Sequence, residues 1–348
     1  MITLGIETSC DELGMALIDW DTNCAWHVLR SQIDLHKVYG GVVPEIAARD
    51  HVEHMPKLFE KLMKSSGIQR SDISHIAYTA GPGLIGALLT GSVFATALAK
   101  SLNIPAIAVN HMEGHLMMGL MGQDIQFPVF VLLVSGGHSQ LMLMKGFGDY
   151  ELVGRSIDDA AGEAFDKVAK KMGLGYPGGR EIEALAREDQ EEEILSLPLP
   201  LKGQKAYQFS FSGLKTATVQ LWDSLEPTRA NQARVARAFQ GRVVDSFIHV
   251  IKRAAKQYQV KDLVISGGVS ANTELRQRLI DEAEVNLYAP RLDLCTDNGL
   301  MIAYCGGLRA MAGLEGASKH HAVSRWDLCD LSRFSCHRLN QCLQITAV

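Results

Sequence analysis

The chain has 348 residues, 47% of them apolar and 21% charged, and its 34 Lys and Arg against 39 Asp and Glu leave a formal net charge of −5. That length exceeds one ordinary core and predicts two compact units, while the composition excludes a disordered or fibrous chain. The acidic balance excludes a general nucleic-acid magnet.

At the start, Ile2 to Ile6 reads as a short apolar strand, ETSCDELG as a polar turn, and Met15 to Ile18 as the returning strand. Small polar residues at the bend predict a hairpin. Glu7, Asp11 and Glu12 interrupt the first apolar residues and no basic segment precedes them, so no secretory signal and a cytoplasmic location are expected. Helices are expected over Glu45 to Lys64 and Leu84 to Leu102, and strands over Ile73 to Thr79 and Ile104 to Val109. The stretch from Ile73 to Ala99 carries no Asp, Glu, Lys or Arg and is long enough to span a membrane, but His75 and a central Gly-Pro-Gly divide it. It reads as a strand, a tight loop and a buried helix, with no membrane involved.

The second half repeats the first. Val129 to Val134 leads through SGGHSQ into Leu141 to Met144, followed by helices over Ala160 to Met172 and Ala230 to Tyr258 and a strand over Leu263 to Ser266. Strands alternating with helices imply sheets covered by helices, and the repeat implies a duplicated unit. The expected fold is therefore α/β, two related lobes around a cleft, with a first lobe over 1–126 and a second over 127–324. An insertion interrupts the second lobe at about 173–220, where PGGR, the acidic run EDQEEE and prolines 198 and 200 loosen the pattern. The tail 325–348 is expected to return to the first lobe.

Seven scattered cysteines, Cys10, Cys24, Cys295, Cys305, Cys329, Cys336 and Cys342, are expected as reduced thiols. Cys329, Cys336, His337 and Cys342 cluster in the tail without the short Cys-x-x-Cys spacing that grips zinc. Basic stretches occur at Lys167, Lys170 and Lys171, at Lys202, Lys205 and Lys215, and at Arg229, Arg234, Arg237 and Arg242. By themselves they read as solvated helix faces.

The segment NHMEGH places His111 and His115 one helical turn apart, where both imidazoles reach a single ion. A zinc protease of the His-Glu-x-x-His type has its glutamate directly after the first histidine, whereas Glu113 falls on the other side. Spacing alone leaves metal ligation and plain polar helix residues both open. Asp297 in LCTDNGLM stands at the start of an expected helix and is either a third ligand or a plain N-cap. Three small-residue turns, ETSCDE at Glu7 to Glu12, VSGGHS at Val134 to Ser139 and SGGVSAN at Ser266 to Asn272, each follow an apolar strand. Glycines there let backbone N–H groups approach a phosphate, which points to nucleotide binding.

Taken in order, IETSCDE, GGVVPEIAARDH, TAGPGLIGALLTG, HMEGH, LLVSGGH, DDAAGEAFDK, YPGG, FSFSGLKT, SGGVSAN and CTDNG resemble the bacterial tRNA N6-adenosine threonylcarbamoyltransferase family, TsaD. The resemblance runs from Ile2 to about Leu328. It implies two actin- or Hsp70-like lobes of the ASKHA, RNase H-like class. It implies transfer of threonylcarbamoyl from threonylcarbamoyl-AMP to N6 of adenosine 37 in tRNAs reading codons that begin with A, with release of AMP. His111, His115 and Asp297 are implied to hold one divalent metal, Fe2+ in preference to Zn2+. Leu133, Val134, Ser135, Gly136 and Gly137, with Asp166, Gly179 and Asn272, are implied to bind the adenylate. Glu12 is the candidate general base for the proton leaving the amine. The implied partners are tRNA, the TsaB paralogue of the first lobe and the P-loop ATPase TsaE, with a homodimer of the isolated chain as a further expectation.

Departures from the family pattern are Leu13, Ser139, Arg180 and Gln208, none of them a proposed ligand, and the tail beyond Leu328 has no counterpart in it. Competing functions are a metalloprotease, disfavoured by the displaced Glu113, a nucleotide-driven Hsp70-like binding protein, and a silent scaffold, disfavoured by the intact ligand set.

Overall fold

A computed structural model describes residues 1–203, 206–314, 322–334 and 343–348. Lys205, Cys336, His337 and Cys342 lie outside the described residues. The chain forms two compact units, one made of 1–125, 146–150 and 296–348, the other of 126–145 and 151–295.

The first unit opens with β1 (Ile2–Glu7), β2 (Glu12–Asp19) and β3 (Cys24–Ser31), an antiparallel meander with Gly5 opposite Ala16 and Ile6 opposite Met15. Next come the short α1 (Ile33–Lys37), α2 (Pro44–Ser66), β4 (His75–Gly81), α3 (Ile85–Leu102), β5 (Ala106–Asn110) and α4 (His111–Leu120). β4 and β5 add in parallel beyond β1. Leu4, Ile6, Leu13, Met15 and Leu17 from β1 and β2 form the core with Met55, Phe59 and Leu62 of α2.

The second unit contains β6 (Val129–Val134), β7 (Ser139–Gly146), β8 (Asp149–Arg155), α5 (Ala161–Lys171), α6 (Gly178–Ala186), α7 (Ser212–Asp223), α8 (Arg229–Tyr258), β9 (Asp262–Ser266), α9 (Thr273–Glu282) and β10 (Asn286–Tyr288). Its sheet runs β10-β9-β6-β7-β8, and the first unit's runs β5-β4-β1-β2-β3 with one further strand. In both, the first strand is central, the hairpin partner and third strand lie to one side, and two parallel crossover strands lie to the other. The duplication read from the two hairpins is thus a duplication of topology. α6 packs against both α5 and α8, so part of the looser stretch after Gly173 belongs to the core of this unit.

The chain then returns to the first unit with α10 (Gly299–Met311) and β11 (Gln344–Ala347). β11 pairs in parallel with β3, Gln344 opposite Cys24, and covers the edge that β3 otherwise presents. α10 was expected within a second lobe ending at 324, yet it packs on β1, β2 and β4. The approach is close enough that a Cβ on Gly5 would lie 2.3 Å from Ala303 N and one on Gly299 2.4 Å from the Met15 carbonyl carbon. Glycine at these two positions is what lets the helix lie directly on the strands, and it carries residues 296–298 into the first unit.

α3 differs from the expected buried helix. Ala87, Leu88, Gly91, Ala95 and Ala99 face inward, but Ile85, Leu89 and Val93, spaced by four, are 48%, 46% and 62% exposed. Leu89 and Val93 of this row, with Val52, Met55 and Pro56 of α2 and Phe94, border an apolar groove of about 490 Å³. Among the described residues Cys10, Cys24, Cys295, Cys305 and Cys329 are free thiols, as expected.

Candidate metal centre and adenylate turn

Asn110 ends β5 and caps α4, its side-chain oxygen accepting from Met112 N (2.9 Å) and Glu113 N (3.3 Å). The cap starts the helix at His111, which sends His111 and His115 out along one side. Asn298 does the same for α10, accepting from Met301 N at 3.0 Å. The cap is therefore Asn298, and Asp297 is left with its carboxylate uncommitted to the helix end.

The ligand atoms of His111, His115 and Asp297 all lie within 4.8 Å of one another. Asp297 Oδ1 is 2.9 Å from His115 Nε2 and 3.5 Å from His111 Nε2. Both imidazoles are buried and the carboxylate is half-buried. All three residues belong to the first unit, whereas the sequence reading had divided them between two lobes. Two imidazoles and one carboxylate on one side of an ion are a donor set suited to Fe2+ or Zn2+, with positions left open.

Glu7 completes the arrangement. It is fully buried at the end of β1. Its Oε1 accepts from Ser9 N (2.6 Å), while Oε2 lies 3.2 Å from His111 Nδ1 and accepts from the Thr79 hydroxyl. A carboxylate behind Nδ1 fixes the imidazole so that Nε2 faces the ligand cluster. Burial alone would lower the His111 pKa, but Glu7 and Asp297 overcome it and push it up to about 9. Burial likewise acts to raise Asp297, and His111, His115 and a hydrogen bond from Ser9 outweigh it, holding the carboxylate well below its usual range. Above pH 9, where no proton competes for the His111 ring, Glu7→Gln is expected to loosen divalent-metal binding about tenfold, measured by chelator competition, because the ring loses its charged orienting partner.

The loop after β1 is braced from two sides. Ser9 O accepts from Leu84 N at 2.8 Å, and at Gly83 a Cβ would lie 2.5 Å from the same oxygen. From the other side runs a one-way chain of hydrogen bonds: Val43 N to His36 Nδ1 (3.3 Å), His36 Nε2 to Gln32 Oε1 (3.0 Å), Gln32 Nε2 to His51 Nδ1 (3.0 Å), and His51 Nε2 to Cys10 O (2.9 Å). A main-chain N–H at one end and a carbonyl at the other allow only this direction, which sets both tautomers. Burial holds His51 below the ordinary imidazole range. Glu12 opens β2, where the Ser31 hydroxyl donates to its Oε1 at 2.8 Å.

In the second unit, Leu133, Val134, Ser135, Gly136 and Gly137 form the end of β6 and its turn, flanked by the starts of α5 and of the 266–272 loop. A Cβ on Gly162 would lie 2.7 Å from Ser135 O, and one on Gly267, where φ is +90°, 2.4 Å from Val134 O. A Cβ on Gly136, Gly137, Gly179 or Gly268 would meet nothing within 4 Å. Packed backbone behind and open space in front make a surface that a phosphate or ribose approaches without a side chain in the way. Asp166 on α5 accepts from Gly178 N at 2.8 Å, which ties it to the start of α6 beside Gly179; burial raises its pKa. Asn272 is already engaged by the fold, its Oδ1 capping α9 at Leu275 N (2.9 Å) and its amide donating to Gln240 (2.7 Å). Ser139, one of the departures from the family pattern, accepts from Ala161 N at 2.9 Å and so fixes the start of α5.

The family model described as TsaD, tRNA N6-adenosine threonylcarbamoyltransferase, matches residues 24–304. The chain belongs to this family. Proteins named tRNA N6-adenosine threonylcarbamoyltransferase from Legionella pneumophila, strains Philadelphia 1 and Paris, are 46% and 47% identical over 337 residues, covering 94% of this chain and all of each relative. Membership makes the chain an acyltransferase of tRNA modification, and the family implies a metal. Among solved structures, HypF from T. kodakarensis has a TM-score of 0.59 at 13% identity, covering 89% of this chain and 48% of its own. The Acidaminococcus fermentans (R)-2-hydroxyglutaryl-CoA dehydratase component A has a TM-score of 0.52 at 14% identity, covering 89% and 99%. These likenesses concern the fold alone, the two-lobed ASKHA class expected from the sequence.

The sequence places Glu7 and Ser9 in a turn suited to phosphate and does not show their contacts with His111 and Asp297. Their signal was a glutamate closing an otherwise apolar strand, where burial of the strand end demands a partner for its charge.

Proposed function

We propose that this chain moves the threonylcarbamoyl group from threonylcarbamoyl-AMP to N6 of adenosine 37 in tRNAs reading codons that begin with A, releasing AMP, in the cytoplasm. The observation that carries the reading is the convergence of His111, His115 and Asp297 within 4.8 Å in a member of this family. These three residues would hold one divalent metal, Fe2+ before Zn2+, since two histidines and a carboxylate are the donor set of non-haem Fe(II) sites. When bound, such an ion supplies Lewis-acid stabilisation of charge on the substrate's oxygens as AMP departs.

The remaining steps fall to the chain's own groups. The turn Leu133 to Gly137, with Asp166, Gly179 and Asn272, receives the adenylate, with Gly136 and Gly137 leaving room for the phosphate and Asn272 acting by holding the neighbouring loop. The N6 nitrogen attacks the carbamoyl carbon, the bond from that carbon to the phosphate oxygen breaks, and AMP leaves with the electron pair. The proton shed by N6 passes to Glu12 in the role of general base. In a reconstitution with threonylcarbamoyl-AMP and tRNA, the wild-type chain should form modified adenosine, and Glu12→Gln should slow transfer about a hundredfold with metal and adenylate binding intact. An unchanged rate in the variant removes Glu12 from the mechanism; no product from the wild type with its partners present removes the reaction.

Partners fit the charge distribution. Lys167 and Lys215 are paired with Asp159, Arg229 with Glu188, Arg237 with Asp189 and Arg242 with Asp245, so much of the local positive charge is neutralised within the chain. Such a surface recruits tRNA weakly alone, which supports a need for the TsaB paralogue and the ATPase TsaE. The exposed row Ile85, Leu89 and Val93 with Val52 is the apolar face we assign to the paralogue. Protease chemistry is disfavoured further by Glu113, which is fully buried and whose carboxylate is taken up by Arg309, Tyr150 and Cys305.

A further inference from the structure

Glu113 sits between the two histidines in sequence but on the opposite side of α4, and the mechanism above does not use it. Its carboxylate is nevertheless surrounded by donors. Arg309 Nε (2.8 Å) and Nη2 (2.5 Å) both reach Oε2, the Cys305 thiol donates to Oε2 (3.2 Å), and the Tyr150 hydroxyl donates to Oε1 (2.9 Å). Burial, reinforced by the charge of Glu113, pushes the Tyr150 and Cys305 pKa values well up, so both remain protonated donors.

Arg309 and Cys305 belong to α10, which begins two residues after Asp297. The ion pair therefore joins the helix that bears two ligands to the helix that follows the third. Nearer the ligands the same two helices touch at Gly114, where a Cβ would lie 3.1 Å from Ile302 Cδ1 and 3.2 Å from Met301 Cγ. Contact at Gly114 sets how close the helices come, and the ion pair at Glu113 and Arg309 sets their rotation and slide.

The far side of the Arg309 guanidinium is closed by residues 332–334, which belong to the part of the chain with no counterpart in the family pattern. Phe334 lies over it at 5.0 Å and stacks on Phe147 at 5.2 Å. Phe334 N donates to Phe147 O (3.0 Å), Arg333 pairs with Asp149 (3.0 Å), and Gly148 admits the Ser332 carbonyl so closely that a Cβ would lie 2.0 Å from it. A cation covered by an aromatic face keeps its pairing strong because water is excluded from it.

We propose that Glu113 and Arg309, sealed by Phe334, are positioning residues for the metal centre, so that the C-terminal segment of this chain sets how tightly the three ligands are held. The proposal rests on reading His111, His115 and Asp297 as the metal site. Outer partners that fix ligand geometry typically change metal affinity by about 10- to 100-fold when lost.

The test uses full-length, metal-free protein titrated with cobalt(II), whose ligand-field absorption reports coordination geometry, against a competing chelator, with thermal unfolding of the metal-free chain followed in parallel. Phe334→Ala should weaken cobalt binding about fivefold to tenfold and alter the absorption envelope, and Glu113→Gln should weaken it more, by about 100-fold. Phe334→Tyr, which keeps the aromatic face, should restore both readouts. Unfolding of metal-free Phe334→Ala should stay close to wild type, which separates positioning from general loss of fold. Should Glu113→Gln fail to fold, the two Phe334 variants decide alone. If wild type binds cobalt, His115→Ala does not, and Phe334→Ala matches wild type in affinity and spectrum, the role of the segment is overturned. If wild type takes up no cobalt, or His115→Ala binds it equally, the metal reading fails and the proposal with it.

Discussion

Replacing Asp297 with Asn is expected to lower divalent-metal affinity about a hundredfold or more and to reduce threonylcarbamoyl transfer at least as much. The amide keeps the shape of the carboxylate but removes its charge, and that charge is what His111 and His115 both face, at 3.5 and 2.9 Å. Asn298 rather than Asp297 caps α10, so the helix start should survive the change. The substitution thus separates ligand from cap. At pH 9.5, where His111 is largely neutral and its attraction to Asp297 has faded, unfolding of the metal-free variant should differ little from wild type, while chelator competition should register the full loss. Equal metal affinity in the two proteins would show that Asp297 is no ligand, and a variant that unfolds readily without metal would show that its carboxylate serves the fold.

Much of this centre was legible beforehand, for reasons that differ from residue to residue. His111 and His115 are one turn apart in any helix, and Asn110 before them is a standard N-cap, so their shared face followed from spacing. The hairpins of β1 with β2 and β6 with β7 were visible because apolar runs flank small polar bends. Asp297 was legible as a candidate but not as a member of the first unit, because linear order does not say which sheet a helix covers. The clue lay in Gly5 and Gly299, whose missing side chains admit α10 onto the strands, and glycine alone does not name its partner. The exposed row on α3 was hidden for a related reason: apolar residues occupy all sides of that helix, so no periodic contrast marks where burial stops. Glu113 had the opposite difficulty. A motif-based reading asked only whether it could serve as a base, whereas its four donors come from Tyr150, Cys305 and Arg309, far along the chain.

Metal uptake by the metal-free chain should strengthen about tenfold for each pH unit from pH 7 to near 9, with close to one proton released per ion bound at the lower end. The cause is His111. Burial opposes its charge, yet Glu7 on one nitrogen and Asp297 near the other raise its pKa to about 9, so at neutral pH a proton occupies the place between carboxylates where an ion would bind. An ion needs the neutral ring and must expel that proton, which makes affinity rise with pH until the ring is already neutral. Stability of the metal-free fold runs the other way. Protonated His111 stabilises it fully below the unfolded histidine value of 6.5, and the contribution fades as pH climbs through 9. Dissociation constants measured by chelator competition between pH 6.5 and 9.5 would trace the slope and its bend. Glu7→Gln should move the bend to lower pH, since one of the two carboxylates that raise the ring's pKa is gone. A flat profile over that range would mean that His111 is neutral before the ion arrives, and the electrostatic account of the centre would have to be abandoned.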